Sequence, residues 1–77
     1  MNVKERIKKF IDHEGLSISA FEKTIEVSNG YVNSISKNIG IDKLNVIVEK
    51  YPQLSLEWLI TGKGEMLKPA LPLAKTN

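Results

Sequence analysis

The chain has 77 residues, of which 42% are hydrophobic and 26% are charged. This composition is typical of one small folded domain and excludes an intrinsically disordered segment. The net charge of +2 suits an anionic partner but is too small to identify one. Because there is no cysteine and His13 is the single histidine, we predict no metal site and no cofactor.

The sequence carries no signal for export or membrane insertion. No apolar run approaches the roughly 20 residues that span a bilayer. The first ten residues, MNVKERIKKF, are charged where a signal peptide needs an apolar stretch. We therefore predict a cytoplasmic protein without a membrane partner.

Apolar residues at helical spacing predict two amphipathic helices in the first part of the chain. The first covers residues 2–14, and Gly15 can end it. Its inward stripe consists of Val3, Ile7, Phe10 and Ile11. Ser17 can cap the second helix, whose inward side chains are Ile18, Phe21 and Ile25.

The pattern is interrupted after Ile25, and a third helix is predicted to begin near Ser28, which can serve as its N-cap. In this helix Val32 and Ile35 point inward, and it ends near residues 38–40. No stretch alternates apolar and polar residues between turn signals, so we predict no strand.

Two more helices complete the prediction. The fourth carries apolar residues from Ile41 to Tyr51, and Pro52 halts it. Ser55 can cap the fifth, over residues 56–60, and Gly62 can end it in a left-handed conformation. We expect Trp58 to anchor this last helix in the core.

Residues 18–37, ISAFEKTIEVSNGYVNSISK, place two helices on either side of a turn of about three residues, the spacing of a DNA-binding helix-turn-helix. Its inward positions are all apolar, and they are Phe21, Ile25, Val27, Val32 and Ile35. The block resembles the helix-turn-helix of the Cro/CI-type (XRE) phage repressor family. The segment LSLEWLITGKGEML, residues 54–67, is similar to the end of the DNA-binding domain in many repressor-like prophage regulators. The resemblance covers roughly residues 2–67.

The resemblance implies an all-α, compact five-helix repressor-like DNA-binding domain with the helix-turn-helix at helices two and three. This domain would occupy residues 1–67, and residues 68–77 would be a linker or flexible tail. It implies a sequence-specific transcriptional regulator that binds double-stranded DNA as a homodimer. We predict no enzymatic activity and no small-molecule substrate, because no nucleophile has a histidine partner and no carboxylate pair forms a convincing site.

Correspondence with the family also implies site residues. The residues that would read bases are Ser28, Asn29, Gly30, Asn33, Ser34 and Lys37. Those that would contact phosphates are Ser17, Ser19, Lys23 and Tyr31. An asparagine can bond adenine N6 and N7 together in the major groove. Ser17 can be an ordinary N-cap at the same time, and the ring of Tyr31 can instead pack at the helix-two junction. Lys4 and Arg6 can add attraction to the DNA backbone.

The sequence departs from the family pattern at three motif positions. Glu22 stands where a small residue is usual, and Ile18 stands where a glutamine often contacts phosphate. Glu26 stands where glycine usually allows a positive φ. Either Glu26 accepts a strain of about 1 kcal/mol or the turn has a different geometry.

A second function is open to the same fold. The modest charge, and the absence of arginine from the third helix, suit an antitoxin-like protein-interaction module. A positive surface along helices one to three would favour DNA, whereas an exposed apolar patch there would favour a protein partner.

Overall fold

The computed structural model describes residues 2–68, which form five α-helices around one apolar core. The helices are α1 (Val3–His13), α2 (Ile18–Thr24), α3 (Tyr31–Ser34), α4 (Ile41–Lys50) and α5 (Leu56–Thr61). Residues 2–68 contain no strand, only an isolated antiparallel bridge between Leu54 and Leu67. The all-α prediction is confirmed for this range, in which no helix is long and apolar enough to cross a membrane. The predicted tail lies, from residue 69 onward, outside the described residues.

Capping side chains define where most of the helices begin. The Ser17 hydroxyl accepts a hydrogen bond from the Ala20 amide at 3.0 Å, and the Ser55 hydroxyl accepts one from the Trp58 amide at 3.3 Å. Both are the N-caps that the sequence predicts. At the other end of α5, Gly62 has φ +80°, the predicted left-handed residue.

The third helix differs from its prediction at both ends. Its N-cap is Gly30 rather than Ser28, and only residues 31–34 are helical. The Ser28 carbonyl accepts a hydrogen bond from the Tyr31 amide at 3.1 Å, so Ser28 belongs to the preceding turn. The helix ends early because Ile35 adopts an extended backbone, with φ −63° and ψ 125°. Ile35 and Ile39 are both buried beyond the end of the helix.

The core lies between α1 and the helices around it. α1 packs against α2, α3 and α5, and its apolar stripe is buried as predicted. The Tyr51 ring, at the end of α4, stacks on Phe21 at 5.3 Å between centroids and forms a T-shaped contact with Phe10 at 5.6 Å between centroids. Trp58 is buried, as its predicted role in the core requires.

Candidate nucleic-acid interface

The candidate interface is built on α2, α3 and the turn between them. The two helices contact each other, and residues 25–30 connect them. Four of the five apolar positions that the sequence assigns inward are at most 4% exposed, and they are Phe21, Ile25, Val32 and Ile35. The fifth, Val27, is half-buried and packs against the core. Most side chains between these positions are exposed, and the exceptions are Glu22, which is buried, and Tyr31, which is half-buried.

The turn between the helices contains a left-handed residue at Glu26. Glu26 has φ +61°, and it is the one non-glycine residue with positive φ in the part of the chain that the structure describes. A side chain in this conformation brings Cβ close to the following carbonyl oxygen. Of the two possibilities left open by the sequence, the strained conformation is the one present. After it, the Val27 amide donates to the Glu22 carbonyl at 3.0 Å, which closes the turn.

A buried carboxylate joins α2 to the start of α3. The Glu22 side chain is 2% exposed, and its Oε2 accepts a hydrogen bond from the Val32 amide at 2.9 Å. Its Oε1 accepts a second bond from the Gly30 amide at 3.2 Å. Buried charged groups are tolerated when they are hydrogen-bonded in this way. The carboxylate thus replaces the side-chain cap that Gly30 cannot provide.

All six residues predicted to read bases are exposed in the structure, but they do not share one helix. Only Asn33 and Ser34 lie on α3, and Ser28, Asn29 and Gly30 precede it. The residues concerned are Ser28, Asn29, Gly30, Asn33, Ser34 and Lys37. The prediction that Lys37 lies on the third helix is wrong, because the backbone has left the helical conformation at Ile35. The Ser34 hydroxyl donates to the Tyr31 carbonyl at 2.6 Å, so its proton is used within α3.

The residues predicted to contact phosphates have different environments. Ser19 and Lys23 are exposed on α2, and Ser17 is exposed while serving as its cap. Tyr31 is half-buried and packs against the core, which is the packing interpretation considered for it. Burial raises the pKa of the Tyr31 phenol above 10.0, and the negative charge of Asp42 raises it further.

Arg6, which we expected to attract the DNA backbone, instead binds the end of α5. It is 8% exposed, and its Nε donates to the Leu59 carbonyl at 2.7 Å. Its Nη2 also donates to the Ile60 carbonyl at 3.0 Å. Because these carbonyls belong to the last turn of α5, Arg6 stabilises that helix end and does not reach outward to a phosphate. Among the other α1 cations, Lys4 and Lys8 are half-buried and Lys9 is exposed.

The sequence contained a signal for both buried charges. Glu22 lies four residues after Ile18 and three before Ile25, so it occupies a place in the inward stripe of α2. Arg6 lies three residues after Val3 and four before Phe10, a corresponding place on α1. A charged residue inside an apolar stripe indicates a buried group with dedicated partners.

Comparison with known proteins adds no family to this picture. No family model, no curated protein and no solved structure matches the chain.

Proposed function

We propose that this chain is a sequence-specific DNA-binding transcriptional regulator of the Cro/CI type, in which α2 and α3 form the helix-turn-helix. The observation that carries the proposal is that residues 18–37 divide into inward apolar side chains and exposed polar ones. Four of the five apolar side chains at the motif's inward positions are buried and the fifth, Val27, is half-buried, whereas the side chains exposed on the turn and α3 are polar. Such a unit can present hydrogen-bonding groups to the base edges of a major groove.

Asn33 is the residue we assign to direct base recognition. Asn33 is exposed on α3 and lies directly after buried Val32, so its side-chain carboxamide is turned away from the core. An asparagine there can accept from adenine N6 and donate to adenine N7, a pair of bonds that no other base offers in the same arrangement. Asn29, exposed at the turn, is the second candidate.

Affinity for the DNA backbone is expected to come from outside α3. Lys23 and Ser19 are exposed on α2, and Lys9 is exposed on α1. Each lysine that neutralises a phosphate releases a counterion, so binding should weaken as salt rises. We propose that a homodimer places two such units on half-sites about one helical turn apart.

The deciding experiment selects duplexes from a random pool with the wild-type chain and then repeats the selection with Asn33→Ala. We expect the wild type to enrich one sequence and Asn33→Ala to lose preference at one base pair, by about 1–3 kcal/mol. Asn45→Ala is the matched control, because Asn45 is an exposed asparagine on α4. Enrichment of no sequence by the wild type would overturn the proposal.

One observation favours a second function, an antitoxin-like protein-interaction module. The exposed charges in residues 18–37 are Lys23, Glu26 and Lys37, so this region has little net positive charge. Against it, the exposed side chains of residues 28–37 include no large apolar one. A protein partner would bind with weak salt dependence, whereas a DNA duplex would be released steeply by salt.

A further inference from the structure

The hydrogen bonds of Glu22 make α3 dependent on a residue of another helix. α3 is four residues long, and a single isolated turn of helix is unstable in water. Its N-cap, Gly30, has φ +92° and makes no side-chain capping bond. The two carboxylate oxygens instead bond the amides of Gly30 and Val32, at 3.2 Å and 2.9 Å. Charge-assisted bonds of this kind are roughly twice as strong as neutral ones.

The same bonds determine where the candidate base-reading side chains stand. The Gly30 amide follows Asn29 directly, and the Val32 amide precedes Asn33 directly. A carboxylate that accepts hydrogen bonds from both amides therefore fixes the backbone segment between Asn29 and Asn33. Because the Glu22 side chain is 2% exposed, its carboxylate has little access to water and depends on these two amides for hydrogen bonds.

We infer that Glu22 is a positioning residue for base recognition, because its buried carboxylate fixes the backbone that carries Asn29 and Asn33. The same carboxylate occupies the amides of Gly30 and Val32 at the start of α3. This inference depends on the proposed function. The two bonds also limit contact with the DNA backbone, because an amide that already donates to a carboxylate does not donate to a phosphate. The start of α3 then contributes sequence preference and little general affinity for DNA.

The test compares Glu22→Gln with Glu26→Gln. Both variants remove one negative charge from the same turn region, but Glu26 is exposed and Glu22 is buried. Glutamine keeps the shape of the side chain and replaces one acceptor oxygen by a donor, so one of the two amides loses its partner. The measurements are the Kd for the selected duplex, the Kd for an unrelated duplex, and the salt dependence of each.

We expect Glu22→Gln to lower the ratio of selected to unrelated affinity about tenfold, the effect of losing one bond to a charged group. We expect Glu26→Gln to leave this ratio near its wild-type value, and both variants to keep the wild-type salt dependence. An equal ratio in the two variants would overturn the inference. A wild type that prefers no duplex would instead contradict the proposed function itself.

Amide hydrogen exchange in the wild-type chain, without DNA, tests the carboxylate bonds independently of any variant's folding. The amides of Gly30 and Val32 are expected to exchange far more slowly than those of exposed loop residues. Exchange at the rate of an unprotected amide would overturn the inference even if Glu22→Gln failed to fold.

Discussion

The guanidinium of Arg6 and the carbonyl oxygen of Leu59 meet at 2.7 Å, across 53 positions of sequence. The bond joins the first turns of α1 to the last turn of α5, and the second bond to Ile60 uses the fork shape of the same side chain. A cation at a helix C-terminus also interacts favourably with the helix dipole.

Replacement of Arg6 should therefore destabilise the domain far more than replacement of another α1 cation. We expect Arg6→Ala to lower the free energy of unfolding by about 2–3 kcal/mol, because the buried carbonyl of Leu59 and the partly buried carbonyl of Ile60 lose a charged donor. Lys9→Ala, which removes an exposed cation from the same helix, should change it by less than about 0.5 kcal/mol. Urea unfolding of the two variants checks this, and equal midpoints would contradict the role assigned to Arg6.

The left-handed conformation of Glu26 predicts a stabilising substitution. Glycine has no Cβ to strain at φ +61°, so Glu26→Gly should raise the free energy of unfolding by about 1 kcal/mol. Glu26→Ala removes the same charge but keeps Cβ, and we expect it to give no such gain. Thermal unfolding of both variants separates backbone strain from charge. A gain with alanine as large as that with glycine would assign the effect to charge instead.

Ser17 and Ser55 are a matched pair for separating capping from DNA contact. Each hydroxyl caps a short helix, so Ser17→Ala and Ser55→Ala should each cost about 1 kcal/mol of stability. Because only Ser17 lies on the proposed helix-turn-helix, at the start of α2, only Ser17→Ala should also weaken binding to the selected duplex. Chemical unfolding and duplex titration, both at a temperature where the two variants are folded, measure the two effects. Equal losses of DNA affinity would assign the effect of Ser17 to stability alone.

The raised pKa of Tyr31 predicts a loss of stability in alkali. Because burial and Asp42 both favour the neutral phenol, the folded state holds the proton to a higher pH than the unfolded state does. The stabilisation is complete below pH 10.0 and is lost as the pH rises through the folded-state pKa.

Titration of tyrosinate absorbance in a Tyr51→Phe background reports Tyr31 alone, since the chain has two tyrosines. Adding Asp42→Asn should lower the Tyr31 pKa, whereas adding Asp12→Asn, an exposed aspartate on α1, should leave it unchanged. Equal values in the two variants would show that Asp42 does not act on Tyr31.

Most of the fold could be predicted because its determinants are local in sequence. Ser17, Ser55 and Gly62 each act within a few residues, so a cap or a left-handed stop is visible in a short window. Apolar spacing gave the buried stripe of α1 and the inward positions of α2 for the same reason.

The third helix was placed incorrectly because its start depends on a contact that a short window does not contain. Ser28 has the chemistry of an N-cap, but the bond comes from Glu22, ten residues before Val32. Arg6 was misassigned for a similar reason, since its partners lie at the far end of the domain. The assignment of Asn29 and Asn33 to base recognition remains a prediction for the duplex selection to test.

The packing of α1 against α5 has a consequence for synthesis on the ribosome. α1 is synthesised before α5, yet the carbonyls that accept hydrogen bonds from Arg6 belong to residues 59 and 60. Until α5 has left the exit tunnel, Arg6 has no access to these partners and part of the α1 stripe has nothing to pack against. The nascent chain therefore completes its core only after α5 emerges, and a ribosome stalled before that point should present a protease-sensitive chain.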